Sequence, residues 1–178
     1  DFPAVHLYLN EIQDDLTQNA REFIQAQNPQ AGSVAPQDGS LLIRRYGVNV
    51  LVDHSDTEGA PIVYEDHPTH ENLVGRIEHQ SQMGTLVTDF NLIKPGTLHR
   101  ANGGFLIIDA RRLLTQPYAW DGLKRSLKSR QVCIESPGQA MGMISTVSLQ
   151  PEPMPLDVKV VLVGDRTLYY LLCEHDPD

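Results

Sequence analysis

An α/β fold built on a parallel sheet is the architecture this sequence predicts, and three observations predict it. Short apolar, β-branched runs occur at Val48–Val52 (VNVLV), Phe105–Asp109 (FLIID) and Val158–Val163 (VKVVLV). Such runs suit strands buried on both faces. Stretches with helical spacing of apolar residues separate or follow them, and strands alternating with helices are joined most simply in parallel.

The elements follow in chain order. From Val5 to Gln25 the residues Val5, Leu9, Ile12, Leu16, Phe23 and Ile24 fall near a helical period between polar residues. They predict an amphipathic arm whose narrow stripe packs on another helix. Asn28–Gly39 carries Pro, Gly, Gln and Ser without periodicity and reads as a linker. After the run inside LLIRRYGVNVLVD, a polar stretch extends from His54 to Gln82, too long for an idle turn. Leu86–Ile93 suggests a short strand or hairpin arm, closed by Lys94, Pro95 and Gly96. Helices are expected at Ala110–Leu114, at Ala119–Ser129 through Trp120, Leu123 and Leu127, and at Arg166–Cys173. Val132–Ile134 and Met143–Leu149 flank SPGQAMG and predict a β-hairpin with a Gly-rich tip.

Length and charge bound the function. The 178 residues, 40% of them hydrophobic, suffice for one domain with a real core. A net charge of −9 argues against nucleic acid, because releasing counterions from phosphates needs a basic face. Anionic membranes are disfavoured on the same ground. No run approaches the roughly 18 apolar residues of a membrane span, and no signal-peptide pattern opens the chain. Cys133 and Cys173, each in an apolar stretch, read as reduced core thiols rather than a disulfide. A soluble cytoplasmic protein is therefore expected.

The segment richest in chemistry is PGTLHRANGGFLIIDA, Pro95–Ala110. A buried strand ending in Asp109 presents a carboxylate at the strand's C-terminal edge, where α/β sheets bind ligands. Capping the following helix is the alternative use of the same carboxylate. With its upstream Pro95, Gly96, Leu98, His99, Arg100, Ala101, Asn102, Gly103 and Gly104, this segment resembles the region leading into the Walker B strand of AAA+ proteins of the Lon, magnesium-chelatase and MCM kind. LKRSLKSRQVCIE is similar to the next helix and strand, and SPGQAMGMISTVSLQPEPMPLDVKVVLVGD to the hairpin before sensor 1 and the sensor strand. VNVLVDHSDTEGAPIVYEDHPTHENLVGRIEH narrows the resemblance to Lon-like proteases whose AAA+ region carries a long helical insertion.

That resemblance implies a partial AAA+ core of the P-loop type over residues 41–178, with flanking helices and a hairpin insertion, preceded over residues 1–40 by the end of the helical insertion and a linker. Asp109 falls at the Walker B aspartate and Asp165 at the sensor 1 position. Leu73, Val74 and Gly75 fall where Lon-type rings place an apolar pore loop that grips unfolded chains by burial. ATP and Mg²⁺ are implied as cofactors of the parent protein, with none expected on these residues alone. Polypeptide substrates and further copies in a ring are the implied partners. Two departures stand out: Ala110 occupies the place of the glutamate that polarises water, and Asp165 turns a negative charge toward a γ-phosphate. The resemblance thus implies either ATP-driven delivery of polypeptide to a Ser-Lys peptidase or a non-hydrolysing scaffold that assembles and gates such a ring. Neither GxxxxGK[ST] nor any Gly-Lys pair occurs. The Walker A segment is expected upstream of Asp1 and the Ser-Lys dyad beyond Asp178, which leaves these residues without a peptidase site. If the family's strand order holds, the three strands are neighbours and the edge at Val158–Val163 is open. Unpaired edges invite association, so a helix, a loop or a second chain is expected to cover it.

Weaker constellations resolve toward structure. His67, His70 and His79 among Glu65, Asp66, Glu71 and Glu78 read as a solvated loop rather than a metal site. Ser136 and Ser145 lack a nucleophile setting. Lys124, Arg125, Lys128 and Arg130 read as a solvated helix face or a contact to a neighbouring subunit.

Overall fold

A computed structural model describes residues 3–21, 24, 45–82, 84–135 and 149–176. The chain divides into two units, residues 1–48 and 49–178. In the first, helix α1 spans Pro3–Gln18. The Tyr8 hydroxyl donates to the Tyr46 carbonyl at 2.9 Å, and Asp15 pairs with Arg45 at 3.3 Å. No residue of α1 is buried, and its apolar stripe of Val5, Leu9 and Leu16 is exposed. The expected linker and the expected hairpin tip SPGQAMG lie outside the described residues.

The second unit holds the sheet. Its elements are β1 (Ile62–Glu65), α2 (His70–Val74), β2 (Arg76–Ile77), β3 (Gln80–Gln82), β4 (Thr85–Val87), a 3-10 turn at Phe90–Leu92, β5 (Ile93–Lys94), α3 (Thr97–Arg100), β6 (Phe105–Asp109), α4 (Ala110–Thr115), α5 (Ala119–Ser129), β7 (Gln131–Val132), β8 (Met154–Pro155), β9 (Lys159–Val163) and α6 (Arg166–His175). Strands β1, β6 and β9 form a parallel sheet with β6 in the centre. Two-stranded antiparallel ladders join β2 to β5, β3 to β4 and β7 to β8. None of the described helices is long and apolar enough to cross a membrane.

The sheet corrects two expectations. VNVLV is not a strand: Val48 and Val50 are 71% and 67% exposed. The Asn49 amide instead donates to the carbonyls of Phe90 at 2.8 Å and Ile93 at 3.0 Å, fixing this segment through a side chain rather than a ladder. The first strand is IVYE, inside the stretch read as polar loop. The second correction concerns burial, which is one-sided. Leu106 and Ile108 are fully buried beneath Leu73, Leu98 and Leu123 from α2, α3 and α5. On the opposite face Tyr64, Phe105, Val161 and Val163 are exposed. At the β9 edge no strand pairs among the described residues, and Val161–Val163 remain exposed. Among the described residues of 49–178, no loop or helix covers that edge.

Backbone contact at two glycines sets the layer of helices. Gly75, at φ +93°, and Gly96 lie against one another. A Cβ on Gly96 would stand 2.2 Å from the Leu73 carbonyl oxygen and 2.4 Å from the Gly75 nitrogen. The same turn is tied by His99, only 2% exposed, whose Nδ1 accepts the Gly96 N–H at 3.3 Å. Here an imidazole takes the role a glutamate has in a capping box.

Two stability predictions follow from this turn. Gly96→Ala must push backbone apart and is expected to cost more than ~2 kcal/mol. By contrast Gly59→Ala, at φ +90° with open space around it, is expected to cost only the roughly 1 kcal/mol of a left-handed residue. Urea denaturation of both variants measures the difference. Burial lowers the His99 pKa from 6.5 to about 4. Between these values the unfolded chain binds the proton and the folded chain does not. Stability is thus fully present above pH ~6.5 and falls toward pH ~4, by about 3 kcal/mol at the acid end. His99→Asn, which keeps an acceptor that does not titrate, should flatten that slope in denaturation series at stepped pH.

Candidate functional site

The C-terminal rim of the parallel sheet gathers three carboxylates, because β1, β6 and β9 run side by side and each ends near an acid. Asp66 follows β1, Asp109 ends β6 and Asp165 stands two residues past β9. Register places Asp109 beside Val163. Both Asp109 and Asp165 are N-cap residues of the helices that follow.

Each carboxylate has a partner. Asp109 Oδ1 accepts the backbone N–H of Arg112 at 2.9 Å, so the capping role is realised. Arg111 Nη2 donates to Asp165 Oδ2 at 3.0 Å. Arg112 Nη1 donates to the Asp66 carboxylate and, at 2.8 Å, to the Asp66 carbonyl. Consecutive arginines therefore reach in opposite directions, one to each neighbouring strand end, with Asp109 between them. These side chains are largely exposed, and such pairs contribute about 1 kcal/mol at most. Their importance is positional, since they tie the start of α4 to the ends of both neighbouring strands. Behind the rim, Ala110 is 4% exposed and its Cβ lies 3.1 Å from where a Cβ on Gly164 would stand.

The residues preceding β6 lie at the other end of the strand, about 13 Å away by strand rise. Asn102 Nδ2 donates to the Pro155 carbonyl at 2.9 Å, and Asn102 Oδ1 accepts the Asp157 N–H at 2.8 Å. Gly103, at φ +81°, donates its N–H to the Asp157 carbonyl at 2.7 Å. A Cβ on Gly104 would fall 2.0 Å from the Pro61 carbonyl oxygen. Arg100 is exposed and lies 3.8 Å from the buried Glu65 carboxylate. Asn102, Gly103 and Gly104 thus hold strands together at that end, whereas His99 ties the turn at Gly96 and Arg100 reaches the end of β1 at Glu65.

The pore-loop expectation meets a different geometry. Leu73 and Val74 are 0% and 3% exposed, inside a helix capped by Thr69, whose hydroxyl accepts the Asn72 N–H. Gly75 is wedged against Lys94 and Gly96. In this conformation the three residues are core and present no surface to a passing chain. Cys173 is also exposed rather than a core thiol, and Cys133 is half-buried. Sequence reading missed Arg111 and Arg112. The Arg-Arg pair directly after Asp109 was the available signal, but its partners stand 46 and 54 residues away.

Comparison with known proteins accords with this arrangement. The profile of the family "LonB-like, AAA domain" matches residues 58–178. A "Putative Lon protease homolog" from Escherichia coli (strain K12) is 35% identical over 86 residues, covering 48% of this chain and 14% of that protein. Another of the same description, from Haemophilus influenzae (strain ATCC 51907 / DSM 11121 / KW20 / Rd), is 27% identical over 143 residues, 72% of this chain and 23% of its own length. The chain thus spans less than a quarter of either relative. Among solved structures, NtrX from Brucella abortus aligns over 98% of this chain and 40% of its own at 18% identity, with a TM-score of 0.40, too slight a likeness to argue from. With β1, β6, β9 and the whole acidic rim inside the matched span, the chain belongs to the LonB-like AAA domain family.

Proposed function

We propose that this chain is the polypeptide-handling AAA+ module of a Lon-like protease, and that it works as a non-hydrolysing scaffold which assembles and gates a ring rather than as an ATP-driven motor. The observation that carries this reading is a rim whose carboxylates are each already engaged within the fold. Asp109 caps α4, Asp165 is held by Arg111, and position 110 is a buried alanine. The residues present do not fit Mg·ATP. Among the described residues at this rim, the carboxylates neighbouring Asp109 both have cationic partners. No hydrolytic step is therefore assigned to these residues. The delivery of polypeptide to a Ser-Lys peptidase, and the ring itself, belong to the same proposal.

Casein degradation by the full-length protein that carries this module is the direct test. Rates with ATP, with a non-hydrolysable analogue and without nucleotide are expected to agree within about two-fold, and strict ATP dependence would overturn the scaffold reading. A second test separates the two uses of Asp109. Asparagine caps a helix as well as aspartate does, so Asp109→Asn should leave both Tm and casein degradation unchanged. Asp109→Ala should lower stability by about 1 kcal/mol. Loss of proteolysis in Asp109→Asn at unchanged Tm would reveal a cation-binding duty and defeat the proposal.

A further inference from the structure

We propose that His70 is an acid-released latch on α2: protonating its imidazole ejects the ring from its seat against α5, freeing α2 and uncovering Leu73 and Val74. This inference stands independently of the scaffold reading.

The seat is tight on one side and hollow on the other. A Cβ on Gly122 of α5 would stand 2.7 Å from His70 Cδ2 and 3.0 Å from Nε2, so the ring lies directly on the α5 backbone. Next to it is a cavity of about 130 Å³ lined by His70, Val74, Arg125, Ser126, Cys133 and Glu135, among others. His70 is 7% exposed, and its Nδ1 is buried with no hydrogen-bond partner. In the neutral ring this atom forgoes one hydrogen bond as an acceptor. A protonated ring would bury a charged donor in the same place.

The groups facing the ring do not rescue that charge. From α5 comes Arg125 and from the chain after β7 comes Glu135, but these two pair with one another at 3.3 Å. Glu71 lies on α2 itself, and Cys133 contributes a thiol to the cavity wall. Burial and then the Arg125 guanidinium lower the His70 pKa, against smaller opposing effects of Glu135 and Glu71. The neutral form is therefore the one that fits. α2 is only five residues long, so few hydrogen bonds oppose its release once the ring leaves. Histidine is the side chain whose charge changes within the physiological range, and local opening of one short element is an ordinary native-state event.

Hydrogen exchange on the 178-residue chain tests the latch through the amides of Leu73 and Gly75, which donate to Thr69 and Glu71 carbonyls. After correction for intrinsic rates, their protection is expected to fall at least ~10-fold more than that of β6 between pH 7.5 and 5. The midpoint should match the His70 titration seen by NMR and lie below that of an ordinary histidine. His70→Asn should abolish the fall, whereas His99→Asn should retain it. Equal losses in α2 and β6, a fall that persists in His70→Asn, or a His70 midpoint at or above the ordinary value would each overturn the proposal. The wild-type comparison decides the matter even if His70→Asn fails to fold.

Discussion

The rest of this structure depends on one joint, the hydrogen bonds between Asn102–Gly103 and the chain entering β9. An asparagine amide donates to Pro155 and accepts from Asp157, while the next backbone N–H also reaches Asp157. Parallel strands cannot be joined by a tight turn, so their register has to be set from outside the ladder. Here the joint brings together residues more than fifty positions apart just before both strands begin. From that point β6 and β9 climb in step through five register pairs, and Asp165 arrives beside Asp109 as a consequence. A motif that reads from sequence as preamble to a nucleotide site is, physically, the part that aligns the sheet.

The same segment explains why α2 is immobilised in this conformation. Gly96 accepts the α2 C-terminal turn against its own backbone, and Leu73 and Val74 are drawn into the core formed by β6, α3 and α5. An apolar pair beside a glycine has two possible uses, a flexible grip or a packed turn. Which one applies depends on whether a surface lies opposite it. Gly96 and Leu98 provide that surface, roughly twenty residues away in sequence, where no local pattern announces it.

Much of the fold was legible, and the gaps have physical causes. FLIID and VKVVLV read correctly because a central strand and its neighbour are five residues long and dense in β-branched side chains. α5 was legible from Trp120, Leu123 and Leu127 at helical spacing. IVYE was missed because it is four residues long and flanked by Pro61 and Asp66, whereas VNVLV was mistaken for a strand because periodicity does not reveal whether a partner edge exists. In the site, the acids at 109 and 165 were found by position along the strands. Their arginine partners were not, since an ion pair across 54 residues leaves no mark on local spacing. The dual reading of Asp109 was also open at that level, and the geometry realises the cap.

That cap gives the aspartate at the end of β6 a duty within the fold. Four N–H groups at the start of any helix lack partners, and an acidic or amide side chain at the N-cap satisfies one of them. In α4 the group served is the Arg112 N–H, and the side chain of that arginine then reaches Asp66 at the end of β1. Asp109 thereby helps fix the orientation of a helix whose two leading arginines tie β6 to both neighbouring strand ends. A carboxylate at this place contributes to the fold with or without a cation nearby. What surrounds that carboxylate is a buried Ala110, an Asp165 engaged by Arg111 and an Asp66 engaged by Arg112.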